Sequence, residues 1–177
     1  PSGWWPGETP FEVCLGAILT QNTSWSNVEK ALDAIRSRGL LSHRGLFPLR
    51  EAAIAKLIRP SGTFQVKARR VRAFLDFLES AHGGLVERMR SEPVGRLRQA
   101  LLKVHGIGPE TADCIVLYAA GLPTFVVDAY TRRVFRRLWF LRGDETYDEV
   151  QRFFHERLPA DAALFNNYHA QIVRLAK

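Results

Sequence analysis

Several features that define other classes of protein are scarce or absent in this sequence. Cys14 and Cys114 are the only cysteines among 177 residues, too few for a disulfide framework or a four-thiolate metal site. No apolar run approaches the roughly 20 residues that cross a bilayer. Apart from Thr124–Val127, no stretch alternates apolar and polar residues over a useful length. We therefore expect a helical, cytoplasmic, globular protein with two buried thiols and no membrane contact.

The charge that is present is mainly positive, and it is clustered. Lysine and arginine number 25 against 18 aspartates and glutamates, which gives a net charge of +7. A basic excess alone is a weak signal, but basic clusters fit phosphate contacts and predict salt-sensitive binding to nucleic acid. The clusters are Lys67 with Arg69, Arg70 and Arg72; Arg88 with Arg90, Arg96, Arg98 and Lys103; and the five arginines between Asp128 and Arg142.

Apolar residues recur at helical spacing along the whole chain, which predicts an all-α fold. Thr9-Pro10-Phe11-Glu12 is typical of a capping box with proline at the first helical position. Ser26 with Glu29 is predicted to cap the next helix. Later helices are predicted at about Glu51–Ile58, Val66–Ala81, Val94–Lys103, Glu110–Ala120, Asp128–Arg142, Tyr147–Leu158 and Asp161–Lys177.

Two features on either side of Ala120 carry the functional signal. The turn Gly106-Ile107-Gly108-Pro109 joins two predicted helices, and its glycines permit positive φ and close approach of a phosphate to backbone N–H groups. A structural turn with glycines for tightness alone is the alternative. Asp128 follows 20 residues after Gly108, where a helix N-cap is predicted. Most such aspartates only cap, but a capping position also fixes the direction of the carboxylate.

Together these features resemble the helix-hairpin-helix (HhH-GPD) DNA glycosylase superfamily, which includes endonuclease III. The resemblance covers nearly the whole chain and implies a two-lobed all-α fold. Residues 8–121 would form one lobe, with the hairpin at about 101–120, and residues 1–7 with 122–177 would form the other. The implied partner is double-stranded DNA containing damaged bases, bound by a monomer in the nucleoid, with a flipped base held between the lobes.

The resemblance also implies roles for individual residues. Asp128 would be catalytic, because a carboxylate stabilises the positive charge that builds on the sugar and can orient water. The Trp-Trp-Pro segment resembles the 3-methyladenine glycosylase branch, which implies a base pocket; covering the core is the alternative. His169 is expected to be a structural histidine. The pocket residues would be Trp5, Pro6 and Trp25, and the DNA-binding residues Gln21 (filling the gap left by the base), Gly106, Ile107, Gly108, Arg132 and Arg133.

The chain departs from its bifunctional relatives at Glu110, where they carry a lysine that forms a Schiff base with the sugar. A carboxylate cannot form one, which predicts a monofunctional glycosylase for bases that leave easily, namely alkylated purines of the 3-methyladenine type. Removal of a mismatched or oxidised base, or a non-catalytic DNA-binding module, are the alternatives.

Many relatives hold a four-cysteine iron–sulfur cluster after the last helix. Two cysteines cannot supply four ligands, so we expect neither a metal nor another cofactor in this chain. A [4Fe-4S] cluster would require a C-terminal cysteine segment that this sequence does not contain.

Overall fold

The computed structural model describes residues 4–177, and within them it is all-helical, as predicted. No strand occurs in that range, so Thr124–Val127 is extended but unpaired. The α-helices are α1 (Pro10–Leu19), α2 (Trp25–Arg36), α3 (His43–Leu46), α4 (Glu51–Leu57), α5 (Phe64–His82), α6 (Val94–Leu102), α7 (Pro109–Cys114), α8 (Ala129–Arg137), α9 (Tyr147–His155) and α10 (Ala162–Ala176). Short 3-10 turns occupy Arg59–Ser61 and Val86–Ser91, and a π-helical turn, Ile115–Ala119, continues α7.

Helix α1 is the central helix, because every residue from Phe11 to Leu19 is buried. Thr9 caps it as predicted, with its hydroxyl oxygen 3.2 Å from the N–H of Glu12. The return half of the predicted capping box differs, since the Glu12 carboxylate accepts from the N–H of Glu8 at 3.0 Å rather than from Thr9. The same carboxylate pairs with Arg36 and so ties the start of α1 to the end of α2.

The predicted cap of α2 is wrong. The helix begins at Trp25, and Ser24 occupies its N-cap position without a side-chain hydrogen bond to the backbone. Glu29 cannot complete a box with Ser26, because its carboxylate accepts from the Trp25 indole N–H at 2.9 Å. The Glu29 carboxylate binds the indole N–H of Trp25 and not a backbone N–H, and the Ser26–Glu29 motif does not predict this contact.

Helix α8 is shorter than predicted and ends at Arg137 rather than Arg142. Trp139 has φ of +62°, a left-handed backbone that a helix cannot continue through. Between Arg137 and Arg142 only Leu141 is buried, while Leu138, Trp139 and Phe140 are exposed. The apolar residues after Arg137 therefore have helical spacing in the sequence but do not form a buried helical face.

The extended segment that leads to Asp128 is held by side chains of α9. Gln151 Nε2 donates to the carbonyl of Phe125 at 2.7 Å, and His155 Nε2 accepts from the N–H of the same residue at 3.0 Å. The Tyr147 hydroxyl oxygen accepts from the N–H of Val127 at 3.2 Å. These contacts satisfy buried backbone groups that would otherwise need a strand partner.

A buried carboxylate joins this segment to the helices around it. Asp113 in α7 is fully buried and accepts from Arg98 Nε at 2.9 Å, Thr124 Oγ1 at 2.9 Å and Gln151 Nε2 at 2.8 Å. Helices α6, α7 and α9 and the extended segment therefore meet at one acceptor. Arg98 also reaches the exposed Asp148 through Nη2 at 2.9 Å.

Within residues 4–177, no helix combines the length and the apolar character needed to cross a membrane. The division into two lobes after residue 121 stays a prediction.

The two carboxylates that share Arg98 provide a matched test of this network. Asp113→Ala is expected to lower the free energy of unfolding by about 3–5 kcal/mol, because it leaves a largely buried guanidinium without its main partner. Asp148→Ala, which removes an exposed partner of the same guanidinium, should cost less than about 1 kcal/mol. Urea unfolding of both variants measures the difference, and equal costs would contradict the proposed importance of Asp113.

Candidate active site

The predicted turn is a tight hairpin between α6 and α7, and its two glycines differ in conformation. Gly106 has φ of +80°, and a Cβ there would overlap the Cγ of Arg70. Gly108 has φ of −89°, and a Cβ there would meet nothing within 4 Å. Gly106 therefore uses the positive φ that glycine permits, whereas the missing side chain of Gly108 leaves its backbone open on the surface. Ile107 between them is buried and anchors the turn.

Gln21 is bound to this hairpin. Its amide nitrogen donates to the carbonyl of Gly106 at 3.1 Å and to Thr111 Oγ1 at 2.9 Å, and its amide oxygen accepts from Arg70. The end of α1 is thus tied to both sides of the turn. A role for Gln21 in filling the gap left by a flipped base stays a prediction, and it would require these bonds to open.

Asp128 caps α8, with Oδ1 accepting from the N–H of Thr131 at 2.7 Å. Its other oxygen, Oδ2, lies 3.3 Å from His169 Nε2. Burial by itself raises the pKa of Asp128, but the contact with His169 and the N–H of Thr131 outweigh it and hold the pKa below its usual value. The carboxylate is therefore ionised at neutral pH.

A second carboxyl group opens onto the same cavity. Glu110 and Asp128 both line a space of about 420 Å³ whose walls also include Gln21, Arg70 and Cys114. The surrounding protein raises the pKa of Glu110, and the charge of Asp128 raises it further, although His169 and Arg132 act in the opposite direction. The cavity therefore holds two acids whose pKa values are shifted in opposite directions, Asp128 downward and Glu110 upward. This arrangement is common at catalytic sites.

The N-terminal tryptophans form one aromatic cluster around Tyr118. The Trp5 ring stacks on Tyr118 with centroids 4.8 Å apart and an angle of 11°. Trp4 and Trp25 meet Trp5 edge-on, at centroid distances of 5.7 and 5.9 Å. Trp5 does not line the Asp128 cavity, and Pro6 and Trp25 line a separate space of about 310 Å³. A base-pocket role for Trp5, Pro6 and Trp25 therefore stays a prediction.

Several residues of the predicted phosphate-binding clusters are structural instead. Lys67 is 1% exposed and donates to the carbonyls of Leu19 and Ser61, at 2.8 and 2.6 Å. Arg72 donates both terminal nitrogens to the carbonyl of Phe47. Arg98 is committed to Asp113, as described above. Sequence clustering could not separate these side chains from exposed ones such as Arg69, because their carbonyl and carboxylate partners come from distant parts of the chain.

The two arginines predicted to meet DNA are also held by the protein. Arg132 donates to the carbonyl of Glu145 at 2.8 Å. Arg133 donates to the carbonyl of Ala176, and its guanidinium lies 5.1 Å from the centroid of the Tyr130 ring. Their phosphate contacts stay a prediction, and these bonds would compete with them.

His169 and Tyr118 contribute more to the site than the sequence indicates. His169 is almost fully buried, and its Nδ1 lies 2.5 Å from the Tyr118 hydroxyl oxygen. It links the aromatic cluster to Asp128. The sequence shows a histidine in the predicted last helix. Its partners lie far away along the chain, so the sequence could not predict the pairing.

The residues present do not fit an iron–sulfur cluster. Cys14 lies in α1 and Cys114 in α7, and burial raises the pKa of each thiol, which disfavours the thiolate that a metal needs. Within residues 4–177, no three side chains from histidine, cysteine, aspartate or glutamate are grouped to hold a metal ion.

Comparison with known proteins places this geometry among DNA repair enzymes. Residues 15–160 match the family model of the HhH-GPD superfamily of base excision DNA repair proteins. A Methanocaldococcus jannaschii protein with the provisional name of DNA repair glycosylase is 42% identical over 98% of this chain and 80% of its own length. Endonuclease III of Bacillus subtilis is 27% identical over 92% of this chain and 74% of its own.

Solved structures of DNA glycosylases agree with this family assignment. The Helicobacter pylori 3-methyladenine DNA glycosylase, in a crystal structure bound to 1,N6-ethenoadenine, superposes with a TM-score of 0.81 and 27% identity over 98% of this chain and 87% of its own. An endonuclease III trapped in a covalent intermediate with DNA gives a TM-score of 0.74 and 26% identity over 88% of this chain and 68% of its own.

The two hairpin glycines can be tested against each other. Gly106→Ala should destabilise the protein by about 1–3 kcal/mol, because alanine is strained at positive φ and its methyl group would displace Arg70. Gly108→Ala should change the free energy of unfolding by less than about 1 kcal/mol, since its φ is ordinary and its surroundings are open. Chemical denaturation of the pair is the measurement, and a costly Gly108→Ala would refute this account of the turn.

Proposed function

Because the chain belongs to the HhH-GPD superfamily of base excision DNA repair proteins, we propose that it is a monofunctional DNA glycosylase for alkylated purines of the 3-methyladenine type. The observation that carries this proposal is the pair of carboxyl groups, an ionised Asp128 and Glu110, at one cavity. By the family resemblance, Glu110 stands where bifunctional relatives have lysine. The partner would be double-stranded DNA containing a damaged base.

Asp128 is suited to stabilise the transition state of base removal. Breaking an N-glycosidic bond builds positive charge on the sugar, and a fixed, partly buried carboxylate opposes that charge more strongly than water does. Its cap bond to Thr131 and its contact with His169 keep it oriented before the substrate arrives. The same carboxylate can orient the water that attacks the sugar.

Glu110 accounts for the monofunctional character of the proposed reaction. Lyase activity of the endonuclease III kind needs an amine that attacks the sugar and forms a Schiff base. A carboxylate has no nitrogen to form one. Lys67, although its pKa is lowered by burial and by Arg70, is buried with its amine bonded to two carbonyls, so it does not replace the missing lysine.

Preference for cationic bases follows from leaving-group chemistry. A purine alkylated at N3 or N7 carries positive charge and departs without prior protonation. Indole faces attract such a base by about 0.5–2 kcal/mol more than a neutral one. The Trp5 cluster is joined through Tyr118 and His169 to Asp128 in the cavity that Glu110 and Asp128 line, which we call the cleft. The similar Helicobacter pylori enzyme is named for 3-methyladenine.

A second candidate substrate class is a neutral damaged base. Such a base leaves more easily when protonated, and Glu110, with its raised pKa, could supply a proton at the cavity. Glu110→Gln separates the two classes: release of a neutral base should fall in this variant, while release of 3-methyladenine should be nearly unchanged.

Base release from methylated duplex DNA tests the proposal directly. Asp128→Asn should keep the helix cap, since asparagine caps as well as aspartate, but should lower the single-turnover rate by about 100-fold or more. DNA affinity should be retained. Asp161→Asn is the matched control, because Asp161 caps α10 through an equivalent 2.7 Å bond to Leu164 and lies at the start of a different helix. A non-catalytic DNA-binding module would release no base in any variant.

Borohydride trapping tests the absence of lyase chemistry. A Schiff base between protein and DNA is reduced to a permanent crosslink, so a bifunctional enzyme is trapped in high yield. We expect no crosslink above background during complete base release, and strand cleavage only after added alkali. Near-stoichiometric trapping would reject the monofunctional assignment while leaving the glycosylase assignment intact.

A further inference from the structure

A continuous series of polar contacts runs from the aromatic cluster to the cleft. The Tyr118 hydroxyl oxygen lies 2.5 Å from His169 Nδ1, and His169 Nε2 lies 3.3 Å from Asp128 Oδ2. His169 is 1% exposed, and within residues 4–177 its Nε2 forms no hydrogen bond of regular geometry. A buried N–H is costly unless it meets an acceptor, and the Asp128 carboxylate is the acceptor it faces.

Tyr118 and Asp128 together decide where the protons lie: a phenol can donate or accept, but the ionised Asp128 carboxylate can only accept, which favours a proton on the nitrogen that faces it. Burial raises the pKa of the Tyr118 phenol well above its usual value, so the phenol keeps its proton and can donate to His169 Nδ1. A neutral imidazole that accepts at Nδ1 carries its own proton at Nε2. A charged imidazolium carries a proton there too. In either state, the atom facing Asp128 is an N–H donor.

We propose that His169, oriented by Tyr118, is a positioning residue that fixes the Asp128 carboxylate at the cleft. This inference rests on the proposed function. The cap bond to Thr131 restrains only Oδ1, so it leaves the carboxylate free to rotate about its Cβ–Cγ bond. The contact from His169 restrains Oδ2, and the two together define the plane of the group.

The imidazole is itself held by aromatic rings on several sides. Trp4 meets it edge-on at a centroid distance of 5.4 Å, and Tyr118 lies at 6.2 Å. Phe125, which α9 holds in place, meets it edge-on at 6.4 Å. A ring enclosed in this way cannot rotate without displacing its neighbours, which is what a positioning residue requires.

The pH dependence of the reaction follows from the groups around Asp128. These are His169 from α10, Glu110 and Cys114 from α7, and Tyr118 from the π-helical turn, while Arg132 from α8 acts on Glu110. Removing His169 deletes the main influence that lowers the pKa of Asp128 and leaves burial, which raises it. The acid limb of the rate profile should therefore move to higher pH. Glu110 also loses a lowering influence, so the profile is best recorded in a Glu110→Gln background as well.

Single-turnover base release from methylated DNA, measured across the acid range, tests the proposal. His169→Leu should lower the maximal rate by about tenfold and move the acid limb upward, with unchanged DNA affinity. His169→Gln should recover most of both effects, since its amide can donate to Asp128 and accept from Tyr118. Tyr118→Phe, which keeps the ring, should give a smaller change in the same direction.

His82→Leu is the matched control, because His82 is another buried histidine whose Nε2 lies 3.0 Å from a carboxylate, that of Glu92. It lies at the end of α5 and contributes nothing to the cleft. It should lower stability without moving the acid limb. An acid limb that stays in place in both His169→Leu and Tyr118→Phe would overturn the proposal.

Nitrogen NMR of the histidine-labelled free protein provides a readout that needs no activity. Neutral His169 should carry its proton at Nε2, and its signals should shift in Asp128→Asn and in Tyr118→Phe. A proton at Nδ1 would overturn the proposal. If the unaltered protein releases no alkylated base while the tautomer is as expected, the proposed substrate is wrong and the His169–Asp128 pair stands.

Discussion

The buried carboxylate of Asp113 is the constraint on which the rest of the site depends. It lies in α7, one turn after Glu110, and it receives hydrogen bonds from α6, from the extended segment and from α9. A charge in this position is tolerable only when its partners are complete. The hairpin and Asp128 are therefore fixed relative to each other by one shared acceptor, since Asp113 follows the hairpin and the extended segment leads directly to Asp128.

The two carboxyl groups at the cavity show how one fold can give similar side chains different properties. Asp128 accepts a hydrogen bond from the start of α8 and lies 3.3 Å from His169 Nε2 of α10, so its charged form is stabilised. Among the described residues Glu110 receives no such hydrogen bond, and both its surroundings and the charge of Asp128 favour its neutral form. The difference arises from the position of each group relative to helix ends and to His169 and not from residue type.

Local patterns predicted the features that depend on a few neighbouring residues. The all-α fold, the cap at Asp128 and the glycine turn follow from spacing and from backbone chemistry, and the structure has all three. Polar pairs between distant residues could not be predicted in this way. Gln21 and Gly106 are 85 residues apart, and Tyr118 and His169 are 51 apart. The burial of Lys67 could not be predicted either, because its partner Leu19 lies 48 residues away and no sequence pattern marks the carbonyl of Ser61.

The bonds between Gln21 and the hairpin would have a kinetic consequence for the predicted insertion of Gln21 into DNA. Each of the three hydrogen bonds contributes roughly 0.5–1.5 kcal/mol, and moving the side chain into a base stack breaks them together. An intact base pair resists opening, so insertion there would recover little of the free energy lost with these bonds. Insertion at a weakened pair would recover more. If Gln21 fills the gap left by a flipped base, as predicted, holding its side chain against the hairpin would favour rapid passage over intact DNA and would reserve insertion for weakened base pairs.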